Sequence, residues 1–319
     1  MANALCVGFE GDAPSDELKA LVARGVRSVI LFERNVHDFE HVANLIRQIK
    51  ALSDEKILVC VDQEGGETVR LQGGFDPPPW MADVGKEGAA AAAQVGEKLG
   101  GILRHAGIDL NLAPVVDVNS NPANPVIGRR SFGSEPKHVG ECAAALLRAM
   151  QACGVGACAK HFPGHGDTHS DSHHELPVVE HGLDRLREVE FPSFAAAIRA
   201  GVAAIMTAHV RMNAIDPTVP ATLSRRVITD VLRGELGYEG VVISDDLEMR
   251  GIADSFDTGS AAVAAVKAGV DVMLVCHTSA AQHEAIDALE AATNTGELDQ
   301  DEADASSLRR RALFERYVR

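Results

Sequence analysis

Residues 156–177 read GACAKHFPGHGDTHSDSHHELP. The first four are small and apolar, and Lys160 and His161 follow them. A continuous apolar run of this length suits a parallel strand buried on both faces. The rest holds Gly164, Gly166, Pro163 and Pro177. Gly and Pro break helices, and neither suits a strand interior. Residues 160–177 therefore read as a long ordered loop, carrying five of the thirteen histidines and two aspartates. A buried strand feeding a long loop of ionisable groups is the repeating unit of an α/β fold. Such loops carry chemistry on a rigid scaffold.

The same unit recurs in both directions. Apolar strand-like runs fall at 4–9, 26–32, 57–62, 108–112, 156–161, 203–208, 241–244 and 270–276. Helical patterns lie between them, near 16–24, 38–51, 87–105, 136–153, 184–200, 224–236, 258–268 and 279–294, with a last charged helix near 302–317. Eight strand–helix units predict an α/β fold, a single-domain (β/α)8 TIM barrel over residues 1–319. A doubly wound sheet is the alternative, weakened because no GxGxxG follows the first strand. The strand-to-helix loops after the third, fourth and fifth strands are long. The helix-to-strand connections are short. In a barrel the long loops share the carboxyl face, where active sites are built.

Composition narrows the function. A net charge of −16 argues against nucleic acid or an anionic membrane as partner. No run nears about 18 apolar residues, and no leader-like pattern opens the chain, so a soluble cytoplasmic protein is expected. The six cysteines (6, 60, 142, 153, 158 and 276) lack CxxC spacing and read as reduced thiols.

Two chemistries compete for the loop. His161, His165, Asp167, His169, Asp171, His173 and His174 offer enough donors for a zinc site. No HEXXH is present, and no HxH follows the first strand, so no metal or cofactor is expected. A metal-dependent hydrolase stays as an alternative. The second chemistry is acid/base work. Asp171 stands two residues from His173, and a carboxylate on one ring nitrogen raises the basicity of the other. A partner carboxylate is offered by VVISDDLEM, where Asp245 follows a buried strand and Asp246 reads as a helix cap. A carboxylate facing a proton donor is the arrangement for glycoside hydrolysis. Asp62 can accept from sugar hydroxyls. Arg70, Arg130, Lys160 and His161 can donate, although the charged ones also read as surface ion pairs. Trp80 reads as packing.

Together VDQEGGETVRL at 61–71, NLAPVVDV at 111–118, GRRSFG at 128–133, KHFPGHGDTHSDSHHELP at 160–177, MTAHV at 206–210 and VVISDDLEM at 241–249 resemble the bacterial β-N-acetylhexosaminidases of glycoside hydrolase family 3. The resemblance implies a (β/α)8 barrel that removes terminal β-linked N-acetylglucosamine with retention. It implies Asp245 as nucleophile, His173 as acid/base and Asp171 as its partner. Asp62, Arg70, Arg130, Lys160 and His161 match the positions that hold the sugar. Arg130 is preferred to Arg129 because it directly precedes Ser-Phe-Gly. The implied partner is a carbohydrate, a muropeptide fragment or chitooligosaccharide, handled by a monomer working in peptidoglycan recycling. A catalytically silent sugar-binding barrel is the other alternative. A histidine acid/base is neutral once its proton has left, so phosphate would not be repelled as it is by a carboxylate.

Overall fold

The computed structural model describes residues 1–73, 75–172 and 174–319; Gly74 and His173 lie outside the described residues. Eight parallel strands close into a ring: β1 Leu5–Val7, β2 Ser28–Leu31, β3 Leu58–Val61, β4 Leu110–Asn111, β5 Gly156–Phe162, β6 Ala204–Thr207, β7 Val241–Asp246 and β8 Val272–Val275. Each pairs with its sequence neighbours, and β1 pairs with β8 to close the barrel. All eight expected runs are present, and the barrel is the observed architecture.

The helices follow from their caps. α1 (Asp16–Ala23) starts where Ser15 accepts from the Leu18 amide, and α2 (Phe39–Lys50) where Asp38 accepts from the His41 amide. Each satisfies one of the orphan donors of a helix start. α3 (Ala89–Ala106) packs against α4 (Pro136–Ala152), which Glu135 caps with proline at its first position. α5 (Phe191–Arg199) precedes β6. Arg226–Glu235 before β7 is a π-helix. α6 (Thr258–Ala268), α7 (Ser279–Asn294) and α8 (Gln300–Tyr317) complete the outer layer.

Two clusters make the core. The larger lies between strands and helices. The smaller fills the ring with inward residues such as Cys6, Ile30, Cys60, Leu110, Cys158, Met206, Ile243 and Leu274. Leu313, Tyr317 and Val318 of the last helix and its tail close the amino end. All six cysteines are free thiols, and five are buried. No helix among the described residues is long and apolar enough to cross a membrane.

The structure adds elements the periodicity did not mark. A hairpin, Gln63–Gly65 against Thr68–Val69, follows β3. Val178–Val179 pairs in parallel with Arg211–Met212, joining the loops after β5 and β6. Both are too short to leave a hydrophobic period. β4 is shorter than expected because the Asp109 carboxylate, not a strand carbonyl, takes the Val59 amide at 2.9 Å.

Candidate active site

Six barrel strands end around a cavity of about 230 Å³, lined by Asp62, Glu64, Arg70, Arg130, Lys160, His161 and Asp245 among others. Two irregularities aim its side chains. The register of β5 against β6 shifts between Ala159 and Phe162. This lets consecutive residues, Lys160 and His161, both face the cavity, which a regular strand forbids. The register of β7 against β8 shifts between Ile243 and Asp246, around Asp245. The Lys160–His161 and Phe162–Pro163 peptides are cis.

Alternating charges line one wall. Lys160 Nζ lies 2.6 Å from both Asp62 Oδ1 and Glu64 Oε1. Arg130 meets Glu64 with two bonds of 2.8 Å, the bidentate geometry a guanidinium fork favours. Burial by itself pushes the Glu64 carboxyl up, but the Arg130 and Lys160 charges outweigh it and hold the group well below the usual carboxylate range. Burial likewise favours a neutral Lys160, yet Asp62 and Glu64 raise its pKa, so it stays an ammonium. The two cations and two carboxylates balance, so the wall offers fixed polar groups without net charge.

A second carboxylate orders the neighbouring histidines. Asp117 is fully buried and accepts from the His161 amide at 3.0 Å, from His161 Nδ1 at 2.8 Å and from the His165 amide at 2.7 Å. Burial raises the Asp117 carboxyl, and the paired His161 more than reverses this, so it is ionised and accepts only. His161 therefore donates to it from Nδ1. Its Nε2 lies 3.5 Å from Arg130 Nη2.

Asp245 sits partly exposed at the barrel mouth, and its Oδ1 accepts from the Asp246 amide at 2.9 Å. Burial pulls its pKa up, while His209, His161 and Lys160 pull it down further, leaving it below the ordinary 3.8. Its carboxylate is thus available as a nucleophile near neutral pH. His209, in the MTAHV segment, meets the Asp246 carbonyl at 2.9 Å through Nε2.

The expected site residues distribute as follows. Asp62, Arg70, Arg130, Lys160, His161 and Asp245 surround the one cavity. Arg70 is carried by the hairpin, whose turn Gln63 braces by bonding the Arg70 and Leu71 amides at 2.8 and 3.0 Å. The Arg70 Nε is buried with no hydrogen-bond partner among the described residues. Arg129 instead lies 4.5 Å over the Trp80 ring and pairs with Asp83, so of the two arginines only Arg130 enters the cavity. Trp80 also packs against Gly66, where a Cβ would meet its ring at 2.3 Å. Asp171 is half-buried in the loop, where its carbonyl takes the His174 and Glu175 amides at 2.9 and 3.1 Å. Its expected partner His173 lies outside the described residues.

Asp246 is a correction. Met249, not Asp246, stands at the N-cap of the short helix Arg250–Ala253. Asp246 accepts from the Cys276 and Glu248 amides, both at 3.2 Å, and pairs with His277 at 3.1 Å. It ties β7 to the end of β8.

Glu64, Asp117, Ser172 and His209 belong to these surroundings without having been singled out in the sequence. Glu64 left a signal: it follows Asp62 by two residues, the spacing that returns an extended chain to the same face. Asp117 left a weaker one, a lone acid in an apolar segment. The loop's glycines have separate reasons. Gly164 has φ +129°, and at Gly166 a Cβ would come within 1.9 Å of the Val118 carbonyl oxygen. His161 Nδ1 is taken by Asp117, and the two ring nitrogens of His165 by Thr168 and Ser172.

Known proteins share this architecture. Residues 5–312 match the family described as glycosyl hydrolase family 3 N terminal domain. The beta-hexosaminidase of Stenotrophomonas maltophilia (strain R551-3) is 38% identical over 281 residues, covering 86% of this chain and 83% of its own length. The beta-hexosaminidase A of Pseudoalteromonas piscicida is 37% identical over 282 residues, and the match takes in 81% of this chain but 47% of that protein. The solved glycoside hydrolase family 3 beta-N-acetylglucosaminidase from Paenibacillus sp. str. FPU-7 superposes with a TM-score of 0.96 at 42% identity, over 99% of this chain and 61% of that one. With a match over nearly its whole length, and relatives above 35% identity, the chain belongs to glycoside hydrolase family 3.

Proposed function

We propose that the protein is a retaining exo-β-N-acetylglucosaminidase that works without metal or cofactor. The observation that carries this reading is Asp245, a carboxylate held ionised at the barrel mouth beside a charge-balanced wall of Asp62, Lys160, Glu64 and Arg130. In the first step an Asp245 oxygen bonds to the anomeric carbon while the glycosidic C–O bond breaks. The leaving oxygen takes a proton from His173, whose ring Asp171 orients. In the second step water bonds to the anomeric carbon, His173 takes its proton, and Asp245 departs as a carboxylate. Two displacements return the original configuration. Arg70, Arg130, Lys160, His161 and Asp62 hold the sugar hydroxyls and acetamido group.

The reading extends to one catalytic barrel acting as a monomer in the cytoplasm. Its substrates would be N-acetylglucosaminyl muropeptide fragments, with chitooligosaccharides presenting the same terminal sugar. An aryl N-acetyl-β-glucosaminide should be cleaved at least about 100-fold more efficiently than the aryl β-glucoside, since buried donors and acceptors left unpaired by the missing acetamido group cost this much or more. Equal kcat/KM on the two would remove the N-acetyl preference.

The acid role has its own test. His173→Ala should lose about 10²- to 10⁴-fold on substrates with poor leaving groups. In kcat/KM it should lose far less on an activated aryl glycoside, whose leaving group needs no proton. Equal losses on both would count against proton donation by His173.

A further inference from the structure

Ser172, the chain neighbour of His173, is fixed at two points. Its carbonyl accepts from the Gly251 amide at 3.0 Å, tying the loop after β5 to the short helix Arg250–Ala253 that follows β7 and Asp245. Its hydroxyl lies 3.1 Å from His165 Nε2. Both residues are 2% exposed, so water does not compete for that bond.

His165 is itself held from three sides. Asp117 accepts its amide at 2.7 Å, and its Nδ1 lies 2.7 Å from Thr168 Oγ1. Thr168 donates its single hydroxyl proton to the His165 carbonyl at 3.0 Å. With that proton spent, Thr168 Oγ1 accepts from Nδ1–H, and Nε2 is left to accept the Ser172 proton. Burial, reinforced by the neighbouring His161, holds His165 below the ordinary histidine value, so the ring stays neutral and keeps its acceptor.

We propose that His165 and Ser172 are positioning residues for the proton-donating step: His165 on the Ser172 hydroxyl and Gly251 on the Ser172 carbonyl hold Ser172, the residue next to the acid/base in the chain. The proposal rests on the reading of His173 as acid/base. It makes the second histidine of the loop a support for the proton donor rather than a sugar ligand. It also joins the two catalytic halves, because the same residue bonds the short helix that follows the nucleophile's strand. A side chain that merely packed would alter stability and affect every substrate alike. A clamp on the donor affects substrates in proportion to their need for a proton.

The test is kcat/KM across aryl N-acetyl-β-glucosaminides of graded leaving-group acidity. Ser172→Ala should lose about 10- to 100-fold on the poorest leaving groups, the scale of an ångström misplacement, and little on the best. Inhibition by N-acetylglucosamine should be unchanged. His165→Leu should show the same steepened dependence, and His165→Gln, whose amide can again accept from Ser172, should recover part of it. A wild-type leaving-group dependence in Ser172→Ala, or a uniform loss across the series, overturns the proposal. Asp245→Ala on the same substrates separates the two failures. Turnover surviving that change would sink the reaction itself, whatever Ser172→Ala does.

Discussion

Asp245→Ala is expected to lower turnover by more than about 10⁴-fold, the scale of deleting a covalent nucleophile. The fold should survive. The carboxylate accepts one backbone bond, from Asp246, so stability should fall by only about 1 kcal/mol. The space left beside the anomeric carbon makes a sharper test. Azide added to Asp245→Ala should restore cleavage of an activated aryl glycoside and yield the α-glycosyl azide, because it attacks from the vacated face. A β-azide would place Asp245 on the proton-transfer side. In the wild type the acid limb of kcat/KM assigned to this group should lie below the ordinary carboxylate value of 3.8, since its net shift is downward. An acid limb above that value would mean another group governs it.

Glu64→Gln should give the largest stability loss among the cavity residues. It leaves Lys160, 3% exposed, and Arg130 to share the remaining carboxylate of Asp62. Removing one member of a buried ion network costs roughly 3 kcal/mol, because the surviving charges lose their compensation. Urea denaturation at pH 7 measures it. The pH dependence follows from linkage. The folded pKa of Glu64 is depressed below its ordinary 4.5. Its contribution is therefore complete above that value and is lost as pH falls toward the folded pKa. The gap between wild type and Glu64→Gln should be widest at neutral pH and narrow below about pH 4. A variant as stable as wild type at pH 7 would show the network to be energetically idle.

Much of the barrel was legible because its strands are buried on both faces and leave continuous apolar runs. The helices were legible through their amphipathic patterns, and the caps at Ser15, Asp38 and Asp257 are local bonds that need no tertiary context. The cavity lining was legible where a residue stands at a strand end, as Asp62, Lys160 and Asp245 do, and in the motif stretches that carry Arg70 and Arg130. Asp117 was not, because the amides it satisfies belong to His161 and His165, far along the chain. Asp246 was misread as a cap for the same reason. The groups that claim it, the Cys276 amide and the His277 ring, arrive on the next strand. A motif reports which residues share a loop. It does not report which of them a neighbouring strand will have already engaged.

The ring has a consequence for how activity is acquired. Closure pairs residues 5–7 with residues 273–275, so the last strand joins the first. The cavity draws on β2, β3, β5, β6, β7 and β8, with Ile30 at one flank and Leu274 at the other. β1, which lines none of it, seats β2 and β8 on either side, so these six strands face one cavity only when the ring is closed. Contacts this distant in sequence are slow to form. During refolding, helical signal should return before enzymatic activity does, and activity should return in step with burial of the β1–β8 seam. On denaturation the seam and the activity should vanish at one midpoint, leaving no partly open species that still cleaves substrate.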